Sequence, residues 1–128
     1  MDTPDLDALL VAVLKGETPR AALLDALAGS FVAVLLDKGL DGAGLHPQAR
    51  PLALNTPEGD PVLAVFTSVE KAAPWAQKEP AYAHALRTGF AWPVHIAPEG
   101  VGIALNPGYR WSLVLAAAEV QALKTTIR

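Results

Sequence analysis

The residues able to do chemistry are few and scattered. Cysteine is absent, and the imidazoles are His46, His84 and His95. A metal site on one element needs ligands at spacings such as HxxxH or HExxH, and these three lie far apart. Locally, His84 is a polar strand position and His95 sits near the end of a short helix. Nucleophilic catalysis needs a hydroxyl or amine beside a base. The serines are Ser30, Ser68 and Ser112, and none falls in GxSxG or SxxK. Ser68 follows a strand and opens a helix, the setting of a nucleophile elbow, but the flanking glycines are missing and helix capping accounts for it. Candidate acid–base carboxylates are Asp2, Asp5 and Asp7 at a helix start, and Glu58, Asp60 and Glu99 in turns. Dipole stabilisation and solvation explain them. The Gly39–Gly44 stretch has neither GxGxxG nor GK[ST] and reads as a flexible loop. The expectation is no catalytic residue, no metal and no cofactor.

What remains is aromatic. Trp75, Tyr82, Trp92, Tyr109 and Trp111 all lie in the second half of the chain. Such rings either rim a small core or mark an interface. Tyr82, Trp92, Tyr109 and Trp111 are the candidate interaction surface, with Tyr109 and Trp111 beside the turn Asn106-Pro107-Gly108. A small-molecule pocket would instead draw polar groups from Asn106, His84, Thr67 and Tyr82.

These residues need elements to position them. Thr3 suits a helix cap and Pro4 the first helical position. Leu6, Leu9, Leu10, Val13 and Leu14 then form one apolar stripe, stopped by Gly16. Thr18-Pro19 repeats the start signal before Leu23, Leu24 and Leu27. Phe31–Leu36 is apolar and of strand length. Pro51–Asn55 and Pro61–Thr67 flank a loop of turn formers, predicting a β-hairpin. Thr67-x-x-Glu70 is a capping box, which predicts a helix from Ser68 to about Trp75. Ala81–Arg87 suits a strand. Residues 88–97 read as a short helix disturbed by Pro93 or as an irregular crossover. Val101–Leu105 is a strand, Asn106-Pro107-Gly108 a turn, and Trp111–Leu115 a strand. A last helix covers residues 116 to about 125, with Val120, Leu123 and Ile127 on one face.

The implied fold class is α+β. A mixed β-sheet of five to six strands carries two N-terminal helices, one or two crossover helices and a C-terminal helix. No linker or repeat divides the 128 residues, so a single domain over 1–128 is expected. Apolar residues are 52% and charged residues 18%, which excludes intrinsic disorder. Eleven prolines and ten glycines exclude a coiled coil. A net charge of −3 without a basic patch argues against nucleic acid. The acidic start and short apolar runs point away from a secretion signal or membrane span, toward the cytoplasm.

The order of signals resembles one family. Val65-Phe66-Thr67-Ser68-Val69-Glu70 with Trp75 matches a "vFTS.e....W" stretch, and Val101–Gly108 matches "g..lNPG". The chain thus resembles the N-terminal domain of the SseB family, the bacterial "enhanced serine sensitivity" proteins, from about Leu6 to Leu123. The matching positions are Phe66, Thr67, Ser68, Glu70, Trp75, Asn106, Pro107 and Gly108. Their physical readings are capping, packing and turn formation. The resemblance implies an α+β domain with a mixed sheet in a bacterial cytoplasm. It brings no catalytic residue or cofactor, since the family's name comes from a growth phenotype. The function expected is a non-enzymatic protein-interaction or regulatory module. Its partner would be a protein, a second copy included, through a sheet edge or the first helix. The alternative is a domain binding an amino acid or another metabolite.

Overall fold

The computed structural model describes residues 5–38, 40–41, 44–45 and 50–126. Strand β1 spans Phe31–Leu36, and every residue after Phe31 in it is buried. Its side chains divide by alternation. Val32, Val34 and Leu36 enter one hydrophobic core, and Ala33 and Leu35 enter a second. A period of two sends neighbours to opposite faces, so β1 is covered on both sides. That is why it reads as a continuous apolar run.

The strands that follow are β2 (Leu40–Asp41), β3 (Gly44–Leu45), β4 (Ala53–Asn55), β5 (Pro61–Val65), β6 (His84–Gly89), β7 (Gly102–Leu105) and β8 (Leu113–Leu115). β1 pairs antiparallel with β6. A four-stranded mixed sheet runs β4-β5-β7-β8, with β5 and β7 parallel and the outer pairs antiparallel. Bridges at Ala33–Phe66 and Leu36–Pro51 join the two sheets. β2 and β3 form a separate two-stranded ribbon.

Helices cover both faces. Leu6 and Leu10 of α1 (Leu6–Leu14) and Leu23 and Leu27 of α2 (Arg20–Ala28) bury in the first core. Val94 of α4 (Ala91–Ile96) and Val120 of α5 (Ala117–Thr126) join them. On the opposite face, Ala72, Trp75 and Ala76 of α3 (Val69–Lys78) pack on the second core around Phe66. The mixed α+β class is as the sequence implies. Among the described residues, no helix is long and apolar enough to cross a membrane.

Several local expectations are corrected. Asp5 caps α1, its carboxylate accepting from the Ala8 N–H at 3.1 Å; Thr3 and Pro4 lie outside the described residues. Gly16 does stop α1. Its φ of +79° lets the Gly16 and Glu17 amides close back onto the Val13 and Ala12 carbonyls. Pro19, not Thr18, occupies the cap position of α2, without a side-chain cap.

The capping box at Thr67 does not form. Ser68 is the N-cap of α3, its hydroxyl accepting from the Lys71 N–H at 3.3 Å, while the Thr67 hydroxyl turns to α1. α3 continues past Trp75 to Lys78. Pro74 is exposed, and so is Glu70, whose carbonyl loses its helical donor there, so water can replace that bond. Residues 80–82 form a 3₁₀ turn, which delays β6 to His84. Residues 91–96 are helical because Pro93 is the third residue of α4, where no helical acceptor awaits its N–H. The final strand begins at Leu113 rather than Trp111. His46, Ile127 and part of the glycine-rich loop lie outside the described residues.

Candidate functional site

The carboxyl ends of the parallel strands β5 and β7 lie side by side, with Val65 opposite Leu105. The chain therefore leaves the sheet twice at the same place, once into Phe66-Thr67-Ser68 and once into Asn106-Pro107-Gly108. Asn106 extends the ladder by donating its N–H to the Val65 carbonyl at 2.7 Å. It is then held at φ +53°, the left-handed region that non-glycine residues rarely adopt. It is also 2% exposed; with Ser30 it is one of two buried polar residues among those described.

Its side chain explains the position. Oδ1 accepts from the Thr67 N–H at 2.9 Å. Nδ2 donates to the Thr67 hydroxyl oxygen at 3.2 Å and to Oδ1 of Asp7 at 3.3 Å. The Thr67 hydroxyl donates to that same Asp7 oxygen at 2.5 Å. Asp7, Thr67 and Asn106 thus tie α1 to both strand ends. A threonine beside a carboxylate resembles an activated nucleophile. Here Asn106 also donates to the hydroxyl oxygen.

The second motif residue pair meets below this network. The Trp75 indole N–H donates to the Pro107 carbonyl at 2.8 Å. Pro107 and Gly108 occupy the central positions of a turn closed by the Tyr109 N–H on the Asn106 carbonyl. Gly108 sits at φ +81°, as a type II turn requires, and a Cβ there would lie 3.0 Å from the Trp75 ring. Trp75 in turn tilts against Phe66, with centroids 6.4 Å apart. The Tyr109 hydroxyl donates to the Lys71 carbonyl at 2.7 Å.

Above the network lies an open cleft of about 160 Å³, between α1 and the start of α3. Leu10 and Val11 of α1 line it, as do Tyr109 and Trp111. Lys71 and Arg110 supply cations, and Asp7 and Asn106 complete the lining. The Lys71 ammonium stands 4.6 Å from the Tyr109 ring centre, and the Arg110 guanidinium 5.1 Å from that of Trp111. Lys15, the residue that follows α1, approaches Trp111 at 5.7 Å.

Six of the eight motif residues therefore form one constellation. Ser68 caps α3, and exposed Glu70 occupies the first turn of that helix. Of the aromatic candidates, Tyr109 and Trp111 share the cleft. Tyr82 rims the α3-side core, and Trp92 packs on the opposite core. His84 opens β6 opposite Leu36 and does not join Thr67 and Asn106. Among the described residues, no group of three or more His, Asp or Glu converges as metal ligands. Sequence reasoning set Asp7 aside as a helix-start acid and did not single out Lys71 or Arg110. The helix-start position of Asp7 already had a sufficient local explanation, and only the tertiary fold shows its second role.

A mixed sheet covered on both faces, with a hydrogen-bonded junction at its parallel strand ends, defines this chain as a small α+β fold. The model of the SseB protein N-terminal domain matches residues 6–122, and the chain belongs to that family. Comparison with curated proteins and with solved structures returned no match.

Proposed function

We propose that this domain is a non-enzymatic docking module whose cleft between α1 and α3 receives a side chain of a protein partner. One observation carries the reading. The cleft holds about 160 Å³ and opens to solvent, whereas sites that enclose a metabolite run to about 300–1,000 Å³. A space of this size is comparable to a cavity that accepts one benzene ring, roughly 150 Å³. It suits an anchor residue better than a free ligand wrapped on all sides. Its walls are of the aromatic and arginine type that dominates interface energetics. The lock beneath it favours a preformed surface, since ordering is complete before the partner arrives. The bacterial, cytoplasmic setting comes with this reading from the family resemblance.

Val11 offers a direct test. It is half-buried on the cleft wall and stands outside both hydrophobic cores. Affinity capture from a lysate of the native organism is compared for the wild type, Val11→Glu and the distant control Phe31→Ser. A protein enriched by wild type and control but lost with Val11→Glu is expected. An identical capture profile for all three overturns the reading. A retained small molecule of constant mass in native mass spectrometry also overturns it, in favour of metabolite binding.

A further inference from the structure

Resting on that docking reading, we propose that the cleft recognises an acidic peptide segment, with one apolar anchor side chain flanked by carboxylates. The charge arrangement carries the proposal. The whole chain is net negative, at −3, yet Lys71 and Arg110 line this cleft and Lys15 reaches the ring of Trp111, which also lines it. Among the described residues none of the three enters an ion pair; the salt bridge present joins Arg20 and Glu119 elsewhere. Their contacts are instead with the rings of Tyr109 and Trp111. A ring orients a cation through its quadrupole without neutralising it. A guanidinium against an indole face keeps its in-plane N–H donors available for a carboxylate.

Asp7 is the one carboxylate lining the cleft, against the two cations Lys71 and Arg110. Its Oδ1 is held by Thr67 and Asn106. The result is a largely apolar slot lined by two cations and one acid, whose Oδ1 is already engaged. An anchor enters between Val11 and Trp111 while carboxylates on either side meet Lys71 and Arg110. A basic segment would meet like charge at the same two residues.

Synthetic labelled peptides test this with the intact protein. The probes are Asp-Glu-Phe-Glu-Asp, its Lys-Lys-Phe-Lys-Lys counterpart, and Asp-Glu-Ala-Glu-Asp. Fluorescence anisotropy should rank the first at least about tenfold tighter than either other, as expected for charge steering plus one buried anchor. Affinity should fall toward about 1 M salt, where the Debye length is about 3 Å. The Lys71→Glu/Arg110→Glu variant should reverse the preference toward the lysine peptide, which a mere loss of folding cannot do. Arg110→Gln alone, at an exposed position, should weaken the acidic peptide several-fold with unchanged circular dichroism. Amide shifts in NMR should cluster at residues 7–11, 71 and 106–111. Equal affinities, a wild-type preference for lysine, or no binding of any peptide overturns the proposal. So does self-association that occupies the cleft with a second copy. A Val11-dependent partner with none of this peptide selectivity leaves docking standing and removes only the acidic ligand; capture indifferent to Val11 removes docking itself.

Discussion

Replacing Asn106 by alanine removes a buried junction whose parts can be weighed separately. Two bonds from Nδ2, at 3.2 and 3.3 Å, are long, so each contributes about 0.5 kcal/mol. The bond from the Thr67 N–H is short, at 2.9 Å, and its loss orphans a part-buried donor, costing about 1–2 kcal/mol. Alanine must then hold φ near the +53° seen for Asn106, a strain of about 1 kcal/mol. The sum is about 3–4 kcal/mol, a large share of the roughly 5–15 kcal/mol by which domains are stable. For this chain length each kcal/mol is worth about 4 °C, so Tm should fall by about 12–16 °C. Asn106→Gly separates the terms, because glycine relieves the strain but restores no bond. It should be about 1 kcal/mol more stable than alanine. Asn106→Asp keeps the acceptor for Thr67 and sets a second carboxylate against Asp7. The two like charges repel, so this variant should be less stable than wild type at neutral pH. Urea titrations followed by tryptophan fluorescence measure all three, with unchanged m-values expected. A glycine variant within about 0.5 kcal/mol of wild type would refute the reasoning, since asparagine would then serve only its backbone angle.

Two further outcomes contrast backbone and surface. A Cβ on Gly102 would lie within 3.0 Å of the Leu115 carbonyl oxygen, which belongs to the neighbouring strand. Gly102→Ala must therefore shift β8 and should cost about 1–3 kcal/mol in denaturant titration. Arg20→Ala deletes a bidentate pair with Glu119 and a bond to the Val114 carbonyl on edge strand β8. The paired side chains are 38% and 34% exposed, so the same titration should show a loss of only about 1 kcal/mol or less. A larger loss for Arg20→Ala than for Gly102→Ala would reverse that ordering of effects.

The local physics of this chain was legible residue by residue. The leucine spacing of α1, the apolar run of β1 and the turn chemistry between β4 and β5 determine elements whose neighbours need not be known. Pro107 and Gly108 likewise fit a type II turn alone, because proline presets one angle and glycine supplies the positive one. Boundaries were less secure where a local signal had a tertiary competitor. Thr67 carries the spacing of a capping residue, yet its hydroxyl serves Asp7, and the adjacent Ser68 takes the cap.

Strand order belongs wholly to the tertiary structure. β5 and β7 become parallel neighbours across an intervening helix, 3₁₀ turn, strand and helix, and nothing in a short apolar run specifies which run lies beside it. The site follows from that pairing. Asp7, Thr67 and Asn106 are separated by up to 99 positions and meet within hydrogen-bonding distance. Each has a complete local explanation as helix acid, strand end or turn residue. Sequence by itself determines what a residue can do with its near neighbours, through backbone angles and periodicity. Only the packed sheet decides which distant groups share one place, because burial of both faces selects the strand order that brings them there.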